Sequence, residues 1–288
     1  MQPVIWIADR ELGLFLWSRD DFRQISCALT LPHAPCPAKA QFFCACKKRD
    51  MVQRFMYWEG DWKAEEEFPA PPGLECMQAS PDGGWLYLLS GEADSLHTVA
   101  AATGELLYGN AAGVYPRSVQ VHPTGKLVAV AGGAAGEVLL FQAPSLNLYR
   151  RISVPGIACQ AAFVEGGLAV LCAVEDGEVQ TLLGFIAGNR SVMEEVVMLP
   201  GLPGTLQPLP DGTVLAGSVG TLAKASLRQK AVVWRSDGFG LPGMLSLRGD
   251  EVLVSDPLAG RVMLMNWKRP RDQRLVYEGA EPEAVFQR

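Results

Sequence analysis

The chain has little charge and almost no histidine. Charged residues make up 19% of it and the histidines number three, His33, His97 and His122, so chemistry built on His–carboxylate pairs or His-rich metal sets has few places to sit. No block of Lys and Arg occurs, and the net charge of −6 runs against the phosphate neutralisation that nucleic-acid binding requires. No nucleic-acid partner is expected. No run of about eighteen apolar residues occurs either, and residues 1–6 lack the basic and apolar regions of a secretory signal. The expectation is therefore a cytoplasmic protein with no membrane partner.

Other signatures are missing too. The seven cysteines, Cys27, Cys36, Cys44, Cys46, Cys76, Cys159 and Cys172, are odd in number and contain no CxxC, which reads as reduced, mostly buried thiols. Cys44 and Cys46 would share one face of a strand, but no second pair or nearby His completes a tetrahedral set. No metal and no cofactor are expected. There is no Walker loop, His-Glu-x-x-His or EF-hand loop, and Gly217-Ser218-Val219-Gly220 follows an alanine where a nucleophile elbow needs glycine. Asn189-Arg190-Ser191 fits a glycosylation sequon and is read here as a polar loop.

What is abundant is chain-breaking residues: 30 Gly and 20 Pro in 288 residues, which leave little room for helices of ordinary length. With 49% apolar residues, disorder is excluded, and many short strands are expected.

The sequence repeats itself with a period of about 40 residues. Pro116 to Gly125 (Pro-Arg-Ser-Val-Gln-Val-His-Pro-Thr-Gly) is followed by apolar stretches at 126–131, 137–141 and 148–152. One unit earlier, Glu75 to Gly83 is followed by 85–89, 95–99 and 105–108, and related copies begin near 158, 204 and 243. Pro81-Asp82-Gly83, Pro123-Thr124-Gly125 and Pro210-Asp211-Gly212 supply turn chemistry at the same point of each unit: Pro sets φ and Gly accepts positive φ. Pro282 to Gln287 reads as one more first strand, and Val4 to Ala8 with Leu14 to Trp17 as second and third strands lacking a first. Pairing the two termini would complete a blade and remove an open sheet edge.

The expected fold class is all-β: a seven-bladed β-propeller of four-stranded antiparallel blades, closed by its N- and C-terminal strands, as a single domain over 1–288. The expected blades are 283–288 with 1–36, 37–74, 75–116, 117–157, 158–203, 204–242 and 243–282. Residues 38–59, free of Gly and Pro, could form a helix by length. Gln41-Phe42-Phe43 nonetheless falls where a first strand is due, and a strand is the preferred reading.

At Pro116 to Ala131 and at Ala101-Ala102-Thr103-Gly104-Glu105 the chain resembles the YVTN-type family of seven-bladed propellers. It is similar also to the seven-bladed lactonases acting on 6-phosphogluconolactone, through Pro116-Arg117 and His122-Pro123-Thr124-Gly125. That resemblance implies a propeller fold; a lactonase activity would want a His where Ser118 stands.

The starts of the innermost strands should meet at one mouth of the central channel. By repeat alignment they bring together Lys39, Glu75, Arg117, Gly204, Gly243 and Glu283, a charged, concave place for a small polar ligand or a solvated rim of mutually neutralising charges. For lactone hydrolysis, Glu75 or Glu283 would activate water, Arg117 would stabilise the oxyanion, and His122 is the nearby histidine. His122 reads better as a turn residue, since Ser80 and Leu209 hold the same place. Gly238 to Gly243 spells G-x-G-x-x-G, but Pro242 opens a strand, so a connection between blades is expected rather than a dinucleotide site. The recurring Gln41, Gln78, Gln120 and Gln207 should tie neighbouring blades or bind channel water, with a ring that holds a polar ligand as the alternative. Trp58, Trp62 and Glu65-Glu66-Glu67 read as a solvated turn or a partner surface. The expected function is a non-enzymatic scaffold or binding module, monomeric, for an unidentified protein or small polar ligand; a lactonase-like hydrolase is the alternative.

Overall fold

A computed structural model describes residues 4–18, 21–46, 49–243 and 245–287. Residues 1–3, Met244 of the repeat copy at 242–246 and Arg288 of the terminal strand lie outside the described residues. The described residues form seven four-stranded antiparallel sheets and two single-turn 3-10 segments, Pro37–Lys39 and Pro257–Ala259. The fold is a seven-bladed β-propeller.

Strand order follows sequence order in every blade but the first. Blade 1 is Pro282–Gln287, Val4–Asp9, Gly13–Trp17 and Phe22–Ser26. The terminal strands pair from Val4↔Gln287 to Asp9↔Pro282, so the closure expected from the half-blades at the two ends is present. Blades 3 to 7 occupy 74–111, 118–153, 157–200, 203–237 and 245–278.

The chain divides into two compact units, Ala28–Phe163 and Met1–Cys27 with Val164–Arg288. In the first, the inner strands Leu29–Cys36, Leu74–Ala79 and Ser118–Val121 are neighbours in turn. Buried side chains fill the spaces between blades: Phe43, Val52, Met77 and Leu88 between blades 2 and 3, and Tyr87, Val119, Val130 and Phe141 between blades 3 and 4. In the second unit, Val252 and Trp267 pack with Leu215 and Leu222, and Ile5 and Ile7 with Leu253 and Leu264.

Burial grades across each blade, and composition follows it. In blade 4, Ser118–Val121 alternates half-buried with buried residues, Leu127–Ala131 is almost wholly buried, and Asn147–Ser153 is mostly exposed. A strand covered on both faces reads as a continuous apolar run, whereas an edge strand takes polar residues. The repeated turns are built alike. In Ser80 to Gly83, His122 to Gly125 and Leu209 to Gly212 the glycine amide donates to the carbonyl three residues back, and the glycine φ values are +68°, +70° and +79°.

Blade 2 departs from the expected register. Its first strand is Leu29–Cys36, and Gln41–Cys46, expected to be innermost, is the second strand, wholly buried. Pro37 and Gln41 reproduce the repeat's spacing by coincidence, because Pro37 opens the 3-10 turn that ends at Ala40, φ +50°. Residues 29–36 therefore belong to blade 2, not blade 1, and the helical alternative for 38–59 is replaced by Gln41–Cys46 and Met51–Trp58.

Candidate functional site

In antiparallel blades, the connectors from fourth to first strands and the hairpins between second and third strands lie at one end; the first-to-second turns lie at the other. In the unit Ala28–Phe163 the connector end holds Glu75 and Arg117, as repeat alignment expected. Arg117 Nη1 lies 3.1 Å from Glu75 Oε1, with both side chains about half exposed. The Arg117 amide donates to Ala131 O, fixing the backbone beneath the guanidinium.

Two other expected members are elsewhere. Lys39 falls in the 3-10 turn after its inner strand, because that strand is Leu29–Cys36. A Cβ on Gly83 would meet Lys39 Cγ at 2.4 Å, which puts Lys39 beside the Ser80 to Gly83 turn, one strand length, about 16 Å, from Glu75. There Asp82 is held below the usual carboxylate range by the Ser80 hydroxyl, then by the Gly84 amide, with Lys39 adding its charge. His122 also lies at the turn end. Its Nδ1 pairs with the Thr124 hydroxyl at 2.8 Å and its ring packs edge-on against Phe163, centroids 4.8 Å apart. It is a turn residue. Glu283 is the second residue of Pro282–Gln287 and pairs with Ala8, in the other unit.

The connector end also carries a residue that the repeat did not single out. Tyr115 is 63% exposed and sits at φ +50°, a conformation that a non-glycine residue holds only when its surroundings impose it. Its amide donates to Asp94 Oδ1 at 2.7 Å. Val114 bridges Gly133, whose own φ is +55° and where a Cβ would lie 1.8 Å from Tyr115 O. Only glycine permits that approach. Ala158 donates to Gly133 O in turn, bringing exposed Ile157 to the same place as exposed Val114. The result is an exposed Tyr115 and an exposed Arg117, either side of a buried Pro116, on a hydrogen-bonded frame.

The other sequence candidates have structural roles. The Gln78 side-chain oxygen accepts the Val121 amide at 2.6 Å, tying blade 3 to blade 4; Gln207 bonds Pro208 O within its own blade. Gln41 is buried in a second strand. The G-x-G-x-x-G segment is a connector whose Gly240 and Leu241 amides donate to the buried Asp256 carboxylate. Asp9 does the same for Ala280. Trp62 is buried and Trp58 exposed. Glu65 and Glu67 lie on the edge strand Asp61–Pro69 near Arg54 and Arg49, charges that discourage edge-to-edge pairing. All seven cysteines are free thiols. Among the described residues no group of three or more His, Cys, Asp or Glu is arranged to hold a metal, and no helix is long and apolar enough to cross a membrane.

No family model matches the chain, and no characterised protein matches it by sequence. Solved structures do. A functionally unknown protein from Desulfotomaculum acetoxidans superposes with TM-score 0.79 at 11% identity, over 100% of this chain and 99% of that one. A protein from Lactobacillus plantarum gives 0.77 at 12%, over 99% of each, and Kuenenia stuttgartiensis hydrazine synthase 0.72 at 15%, over 86% of each. At these identities the likeness is one of fold, and a fold of this kind hosts unrelated functions.

Proposed function

We propose that the chain is a non-enzymatic binding module that docks a protein partner on the connector end of blades 3 and 4, with Tyr115 and Arg117 as its anchors. The observation that carries this is the strained, exposed Tyr115 held by Asp94 and Gly133 beside the Arg117–Glu75 pair. Tyr and Arg dominate interface energetics, and an anchor fixed before binding loses little entropy on docking.

The lactonase-like alternative fits less well. Glu75 is paired with Arg117, His122 is a strand length away, and the Ser118 hydroxyl, where the resemblance wants a His, accepts the Ala161 amide at 3.3 Å. The YVTN-type resemblance of Pro116 to Ala131 is compatible with either reading, as is a cytoplasmic monomer. Purified protein should release no acid from sugar lactones above background. A robust rate that falls about a hundredfold in Arg117→Ala, a loss of about 2.7 kcal/mol, would replace the binding reading with a catalytic one.

A further inference from the structure

The unit Met1–Cys27 with Val164–Arg288 has a connector end of its own, and its hairpins and connectors are laced into one continuous rim. The Thr181 hydroxyl donates to Gly201 O at 2.7 Å, Val219 N to Leu202 O and Gly220 N to Gly240 O. Asp256 accepts from Gly240 and Leu241, Gly279 N donates to Gly260 O, and Ala280 N to Asp9 Oδ2.

Along this rim stand five exposed apolar side chains: Val179, Leu202, Val219, Leu258 and Leu12, each 39% to 70% exposed. Hairpin tips ordinarily carry Gly, Asn, Asp or Ser. Here the tip of Pro257–Ala259 presents Leu258, the most exposed of the five, between Pro257 and a left-handed Gly260. A single exposed leucine needs no explanation, but a row of them on rigid backbone marks an interaction surface.

The charge left without an ion-pair partner around the row has one sign. The three guanidinium groups of the rim are each engaged within it: Arg10 with Glu281, Arg235 with Asp237 and Arg261 with Asp256. Glu175, Asp176, Glu178 and Glu278 are exposed and form no ion pair among the described residues. Three of these four cap the hairpin of Gly167–Asp176 and Glu178–Ala187, which runs two residue pairs beyond Gln180↔Pro200, its last pairing with the fourth strand.

We propose that this rim is a docking surface for a basic peptide segment in which Lys or Arg alternates with large apolar residues. The apolar row supplies burial, and the unpaired carboxylates beside it supply the complementary field. Anionic lipid surfaces and nucleic acids would be repelled by the same carboxylates. This inference is independent of the Tyr115 reading, since it rests on other residues in the other unit.

The test uses full-length protein and a fluorescent synthetic peptide alternating lysine and leucine, followed by anisotropy at low and physiological salt. Binding should weaken with salt. It should fall about tenfold in Leu258→Ser and again in the double variant Glu175→Lys with Glu178→Lys, all with unchanged melting. A lysine–serine peptide should bind at least about tenfold more weakly than the lysine–leucine one. Equal binding by the variants, or equal affinity for the two peptides, would overturn the proposal. So would self-association of the wild-type chain that Leu258→Ser abolishes, which would make the occupant a second copy.

Discussion

Arg117 and Glu75, forty-two residues apart in sequence, meet at 3.1 Å across two neighbouring inner strands. Because both side chains are about half exposed, water screens the pair, and bridges of this kind contribute about 0.2–1 kcal/mol. Arg117→Ala should therefore cost less than about 1 kcal/mol in denaturant-midpoint stability, and the double variant with Glu75→Ala should cost little more. A loss of several kcal/mol would make the pair a structural element and remove it from the binding face.

The terminal clasp carries a heavier share of stability. Deleting residues 282–288 would leave six residues, Val4–Asp9, with an unpaired backbone on their inner side, which is an open sheet edge. Size-exclusion chromatography of the truncated chain should show aggregation or loss of the folded peak. A monomer with the melting temperature of the full chain would show that the clasp is dispensable.

Asp256 gives a contrast between a buried and an exposed carboxylate. It is fully buried, accepts two connector amides and pairs with Arg261. Asp256→Ala strands those donors and should cost about 1–3 kcal/mol for each amide left unpaired, whereas exposed Glu278→Ala should change stability by less than about 0.5 kcal/mol. Equal, small effects in urea unfolding would mean that the connector is held by other contacts.

His33 sets a pH dependence. It is buried against Phe42, ring centroids 5.8 Å apart, and burial lowers its pKa from 6.5 to about 4. The unfolded chain thus binds a proton that the folded chain refuses between those values. The contribution is intact above pH 6.5 and is lost as pH falls toward about 4, by up to about 3 kcal/mol. His33→Leu should flatten the stability profile in that window. An unchanged slope would assign acid sensitivity to other groups.

The blades were legible where turn chemistry left no alternative. Gly83, Gly125 and Gly212 each occupy a positive φ that the preceding Pro-x pair anticipates. Blade 2 was misread because Gln41-Phe42-Phe43 falls where the repeat wants a first strand, whereas the first strand is Leu29–Cys36, which accommodates Pro32 and Pro35 with a register shift between Thr30 and His33. Lys39 followed that error to the wrong end. Alignment placed Glu75 and Arg117 at the starts of neighbouring inner strands, but not their direct pairing, which depends on side-chain reach that a repeat pattern does not carry. Tyr115 was not legible, because its φ depends on Asp94, twenty-one residues away, and on Gly133. For the buried carboxylates a signal was available: Asp9 and Asp256 each close a second strand and each precede a glycine four residues on, Gly13 and Gly260.

The most direct measurement of the binding reading is site-specific photocrosslinking in the cells that make the protein, with a photoreactive residue replacing Tyr115 in one form and Thr124, at the turn end, in another. The account predicts a discrete protein adduct from position 115, absent from position 124 and lost when Arg117→Ala is added. Adducts of equal yield from both positions, or none from position 115, would contradict it.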